Sequence, residues 1–116
     1  MEGTTKLVRD RIPELIKADG EEPKMRIASD EEYPALLRLK LLEEVQEFLD
    51  SDDPTELVDV VEVVRAIAKE KGVNATQLEK LRKRKEDERG GFNERAVLVE
   101  VLDEEQIEPE AVEAAS

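Results

Sequence analysis

The sequence predicts an all-α fold. Three observations carry that expectation. With one Tyr, two Phe and no Trp, the interior has to be built from Leu, Val, Ile and Ala, which suits packed helices better than a sandwich or barrel. Helix start and stop signals bracket three long segments, and apolar residues recur at helical spacing in the first of them. The expected architecture is a compact helical bundle, with room for a minor two-stranded β element.

The elements follow in order. In KLVRDRIPELIKADG, a short extended segment leads into one or two helical turns opened by Pro13 and stopped by Gly20. MRIA, residues 25–28, is a weak strand candidate. The first long helix starts at Ser29, where SDEE reads as a capping box between Ser29 and Glu32, and runs to about Asp50. Leu37, Leu41, Leu42, Val45, Phe48 and Leu49 form its apolar face, with Lys40, Glu43, Glu44 and Glu47 opposite. After the short turn SDDP a second helix must fold back antiparallel, opened by Asp53, Pro54 and Glu56 as another capping box and closed by Gly72. Its content, LVDVVEVVRAIA, is rich in β-branched residues, but its length between a cap and a Gly stop favours helix. NATQ, residues 74–77, opens a third helix that ends at Gly90 and Gly91. RAVLVEVL, residues 95–102, is the other strand candidate, able to pair with MRIA. One helical domain over 1–102 is expected, then an acidic tail, 103–116, that is mobile or a loosely attached helix.

Composition excludes several chemistries. Without Cys or His there is neither a thiolate nor an imidazole, so any metal is bound by oxygen. A net charge of −13 repels polymeric nucleic acid, and no apolar run is long enough for a membrane span or a secretory signal. A cytoplasmic protein is expected. The acid excess also serves solubility.

The carboxylates of the two long helices admit two readings. Glu44 and Glu47 are three apart, as are Glu56 and Asp59, so each pair projects from one side of its helix and the hairpin can bring the pairs together. Four converging carboxylates need a counter-ion, and magnesium, a hard cation that takes oxygen ligands and bridges to phosphates, is the natural one. Yet Glu43, Glu44 and Glu47 lie opposite the apolar face, where a solvated flank accounts for them, and Glu56 is also the third residue of a capping box. By periodicity Glu56 points between Val60, Val63 and Ile67. The third helix carries the opposite sign: Arg82, Lys85 and Arg89 share a face that can grip phosphate oxygens, or pair with Glu86, Asp87 and Glu88 on a salt-bridged surface.

EEVQE, residues 43–47, followed by ELVD, residues 56–59, resembles the EExxE and ExxD signature of the MazG-like all-α nucleoside triphosphate pyrophosphohydrolases. KLVRDRIPELI and KRKEDERGGF are similar to a subgroup of small prokaryotic members labelled phosphoribosyl-ATP pyrophosphohydrolase-like, and the resemblance spans roughly residues 5–102. It implies hydrolysis between the α and β phosphates of a nucleoside triphosphate, giving monophosphate and pyrophosphate. It further implies that Glu44, Glu47, Glu56 and Asp59 hold magnesium, with manganese as a substitute. Glu43, Glu44 and Glu47 would serve catalysis, and Lys85, Arg89, Arg82 and Arg9 would bind the phosphates, with Asp10 a further candidate. Assembly as a homodimer or homotetramer is expected too, because the second helix is apolar over more than half its circumference. Two alternatives stay open: a non-catalytic acidic helical module that binds a protein or a nucleotide, and a phosphoribosyl-ATP pyrophosphohydrolase of histidine synthesis.

Overall fold

The computed structural model describes residues 6–107. Four helices follow one another: α1 (Ile12–Ala18), α2 (Tyr33–Ser51), α3 (Glu56–Glu70) and α4 (Ala75–Arg89), then a single 3-10 turn over Glu104–Gln106. The chain is all-α. It divides between Lys83 and Arg84, inside α4, into two units. The expected acidic tail is described only to residue 107, where Asp103 and Gln106 cap the 3-10 turn reciprocally; residues 108–116 lie outside the described residues.

Local chemistry fixes the helix ends. Asn74 and Gln77 form a complete capping box, each side chain accepting the other's backbone N–H at 2.8 Å, so α4 starts where its sequence signal lies. At Ser29 the box is only half built. Its hydroxyl oxygen accepts the Glu32 N–H at 3.2 Å, but the Glu32 carboxylate takes the Ser29 hydroxyl and the Arg26 guanidinium. Residues 30–32 accordingly form a turn, and α2 begins at Tyr33 instead of Ser29. Before α3, Asp53 accepts the Thr55 N–H and hydroxyl, both at 2.9 Å, while its own N–H goes to Ser51 Oγ. No side-chain cap closes on α3, so the expected box partner, Glu56, is left for other contacts.

In the first unit, the helix packing is that of α2 on α3, joined by the short connection 52–55. Short connections make antiparallel neighbours. The seam on α2 is the stripe Leu37, Leu41, Glu44 and Phe48, and on α3 the stripe Glu56, Val60, Val63 and Ile67. Leu37 and Val63 are buried apolar residues there, and Glu44, only 6% exposed, is a buried charge. This corrects the expected face of α2. Leu42 and Leu49 stand 66% and 64% exposed, because the hairpin can cover only one stripe and the covered one contains Glu44.

The minor β element is also corrected. Residues 25–28 and 95–102 form no strand, and among the described residues there is none. Ile27 and Val99 stand almost fully exposed, so neither segment has the covered face that would repay ordering so few ladder bonds. Among the described residues no helix is long and apolar enough to cross a membrane.

α3 closes on Gly72 at φ +83°, with the Gly72 N–H reaching the Lys69 carbonyl and the Val73 N–H reaching that of Ala68. A Cβ there would meet nothing within 4 Å, so a substitution tests backbone conformation alone. Gly72→Ala is expected to lower unfolding free energy by about 1 kcal/mol in urea denaturation. An unchanged midpoint would contradict this account of the helix end.

Candidate functional site

The seam between α2 and α3 gathers five carboxylates. Glu43, Glu44 and Glu47 each offer one oxygen, all within 4.8 Å of one another, and so do Glu44, Glu56 and Asp59. Glu44 belongs to both triads. It comes from the buried stripe of α2, while Glu56 and Asp59 rise from the first turn of α3, one helical turn apart on the facing side. Glu43, Glu56 and Asp59 are half-buried and Glu47 is exposed, so the group is open to solvent along one edge.

Three cations lie against this acid. Lys40 Nζ bridges Glu43 Oε2 and Glu44 Oε1, both at 3.1 Å. Lys6 Nζ reaches Glu43 Oε1 at 3.0 Å, and Arg9 Nη1 reaches Asp59 Oδ1 at 2.8 Å, with Nη2 3.8 Å from Glu62. Glu44 Oε2 is buried with no hydrogen-bond donor. A buried acceptor left unpaired costs on the order of 1–3 kcal/mol, so the fold carries a charge at this atom that it does not itself satisfy.

The titration of the neighbours reflects this. Burial pushes the Lys40 ammonium down, but its bonds to Glu44 and Glu43 outweigh that and raise it. Burial pushes Glu43 up, yet the bonds from Lys6 and Lys40 prevail and hold it below the usual carboxylate range. Glu47 is raised, first by close approach to Glu44, then by the charges of Glu44, Glu43 and Glu56. A protonated Glu47 could donate to the Glu44 carboxylate, and a cation would relieve the same repulsion.

Such a donor set is all oxygen and borderless toward solvent on one side, which suits a hard divalent cation that keeps waters. The sequence-derived residues Glu43, Glu44, Glu47, Glu56 and Asp59 are thus brought together, and Arg9 joins them through Asp59. Asp10 is exposed beside Arg9. Arg82 is exposed and holds Glu79 at 2.7 Å. Lys85 and Arg89 are exposed on the part of α4 that belongs to the second unit. Two site residues escaped the sequence reading. Lys40 was signalled by its i,i+3 and i,i+4 spacing to Glu43 and Glu44, whereas Lys6 lies 37 residues from Glu43 and had no local signal.

Similarity to known proteins adds little. Over 46 residues the chain is 59% identical to an uncharacterized protein of Mycolicibacterium smegmatis, covering 40% of this chain and 47% of that one. The chain therefore spans about half the length of the curated relative it matches. No model of a known protein family matches it. No solved structure matches it.

Two outcomes follow. Lys40→Met leaves Glu44 without its cation and is expected to destabilise by about 3 kcal/mol, whereas Lys40→Met with Glu44→Leu recovers most of that in the same denaturation assay. Loss in the double variant equal to that in the single would contradict the assignment. For Glu47 the raised carboxyl means that the folded state holds the proton more tightly than the unfolded state, so ionised Glu47 disfavours folding once pH exceeds its ordinary pKa. Glu47→Gln should raise the melting temperature at pH 7, with the gain shrinking as the pH falls through the raised pKa and into the range where both chains are neutral there. A gain independent of pH would contradict the repulsion.

Proposed function

We propose that this protein is a magnesium-dependent nucleoside triphosphate pyrophosphohydrolase that cleaves between the α and β phosphates and clears unwanted nucleotides in the cytoplasm. The observation that carries the reading is the unpaired, buried oxygen of Glu44 at the junction of two carboxylate triads. An acidic cluster alone would be a solvated surface. A buried carboxylate oxygen inside the cluster requires a cation or a proton.

Glu44, Glu47, Glu56 and Asp59 would hold the magnesium, and manganese would substitute in the same oxygen cage. When bound, the metal supplies charge neutralisation for the triphosphate and a lowered pKa for an attacking water. The chain's own residues then divide the remaining work. Glu43, pushed up by burial but held low by its bonds from Lys6 and Lys40, stays ionised. In this chain without His, a carboxylate of the same group, Glu43 or the exposed Glu47, would take the water's proton. Arg9 stands beside Asp59 within reach of an anion at that carboxylate, and its planar fork matches phosphate geometry. Lys85, Arg89 and Arg82 remain proposed phosphate ligands on the strength of the sequence resemblance.

The outward face of the hairpin supports self-assembly. Leu42, Val45 and Leu49 on α2 and Leu57, Val58, Val61 and Val64 on α3 are exposed at helical spacing. Two such hairpins joined face to face make a four-helix core, as a homodimer or within a homotetramer. The same face also favours the second reading, a helical module that binds another protein without catalysis.

Pyrophosphate release from a panel of nucleoside triphosphates, with and without magnesium, separates the two. The proposal expects metal-dependent release that Glu56→Gln abolishes, with an equal or higher melting temperature because one charge of a repelling group is gone. An inert panel together with no magnesium-dependent nucleotide binding would leave the module reading. Sedimentation at micromolar concentration should give a dimer or tetramer, and a monodisperse monomer would contradict the assembly.

A further inference from the structure

Most of the amino-terminal motif KLVRDR is unused by the function above, although its geometry places it on the site. Lys6 ties segment 6–10 to Glu43 on α2, and Arg9 ties it to Asp59 on α3. Both anchoring carboxylates are members of the triads. With Lys40, three cations oppose the five carboxylates of the triads and Glu62, which Arg9 also approaches, so the acid is in excess at the site.

Among the described residues, the segment is further held by the Ile12 N–H, which donates to the Arg9 carbonyl at 3.0 Å. Arg9 and Lys6 are each about half exposed, and ion pairs at that exposure are weak. Leu7 and Val8 between them are partly covered. Cavities of about 530 Å³ and 400 Å³ both border residues 7–10, the larger toward Leu37 and Val63 of the hairpin and the smaller toward residues 25–30. The half-exposed Lys6 and Arg9 side chains can turn while Leu7 and Val8 keep their place beside Leu37 and Val63.

We propose that Lys6 and Arg9 are substrate-positioning residues that exchange partners. Each holds a carboxylate of the site in the structure described, and each turns to a phosphate oxygen when a divalent cation and a polyphosphate occupy the site together. The exchange rests on the metal-nucleotide reading above. Its consequence is an inversion of sign. Toward the cation alone, Lys6 and Arg9 are competitors for Glu43 and Asp59. Toward the cation with a polyphosphate, they are additional donors, Arg9 as a fork and Lys6 as a point charge.

The test is Mn²⁺ binding, read from the electron paramagnetic resonance of the free ion, in the full chain and in Lys6→Gln/Arg9→Gln. Each is titrated without and with saturating inorganic imidodiphosphate, which supplies phosphate oxygens and no base. The double variant is expected to bind Mn²⁺ alone several-fold more tightly and the Mn²⁺–imidodiphosphate pair several-fold more weakly. Arg11→Gln removes the same charge next door, where the partner is Glu14, and should leave both affinities unchanged. Lys6→Gln alone should show the same inversion at reduced size, and circular dichroism melts establish that each variant is folded. Equal affinities, shifts in one direction for both ligands, or an Arg11→Gln variant that reproduces the inversion would overturn the exchange while leaving the metal site standing. A wild-type chain that takes up no Mn²⁺ under either condition would overturn the site and the exchange together.

Discussion

The structure turns on a carboxylate, Glu44, placed in the seam of a helical hairpin where an apolar residue would ordinarily sit. Its stripe on α2 is otherwise Leu37, Leu41 and Phe48. An ionised group there has to be compensated, and the compensation organises what surrounds it: Lys40 on one oxygen, Glu47 pushed toward its protonated form, and the other oxygen left without a donor. Replacing such a buried charge pair by hydrocarbon is often near neutral, so the pair adds little to the hairpin itself. That a charge which stabilises so little stands in so small an apolar seam is the physical reason to look for a ligand.

The two faces of the hairpin do different things. One closes on carboxylates and their cations; the other exposes Leu42, Leu49, Val58 and Val61. A seam in which Leu37 and Val63 are the buried apolar residues supplies little hydrophobic stabilisation, at roughly 25 cal/mol per Å² of apolar area. The outward face is where more is available. The carboxylates and the exposed apolar residues thus lie on opposite sides of the same two helices, so the proposed assembly and the proposed ligand would not compete for one surface.

Much of the local structure was legible in the sequence. Asn74 with Gln77 and Gly72 mark helix ends by chemistry that acts within a few residues, so their signals survive folding. The three-residue spacing of Glu44 with Glu47 and of Glu56 with Asp59 likewise survives, because it follows from the helix itself. The choice of buried stripe was misread. At ~100° per residue Glu44 lines up with Leu37, Leu41 and Phe48 and not opposite them. That this stripe and not the Leu42 and Leu49 side is covered was decided by the short connection and the partner helix. Ser29 misled for a related reason: Arg26 diverts the Glu32 carboxylate, and the helix starts a turn later. The pairings Lys6–Glu43 and Arg9–Asp59, separated by 37 and 50 residues, depend on tertiary placement and leave no periodic trace.

The central claim is that five carboxylates act as one cation site through Glu44. Its most direct test is the carbon NMR spectrum of the side-chain carboxyl groups during addition of substoichiometric Mn²⁺, whose paramagnetism broadens nearby resonances. The account predicts early and selective loss of the Glu43, Glu44, Glu47, Glu56 and Asp59 signals, with exposed acids such as Glu104 and Glu105 unaffected at the same ratio. Broadening spread evenly over all exposed carboxylates, with Glu44 still sharp, would contradict it.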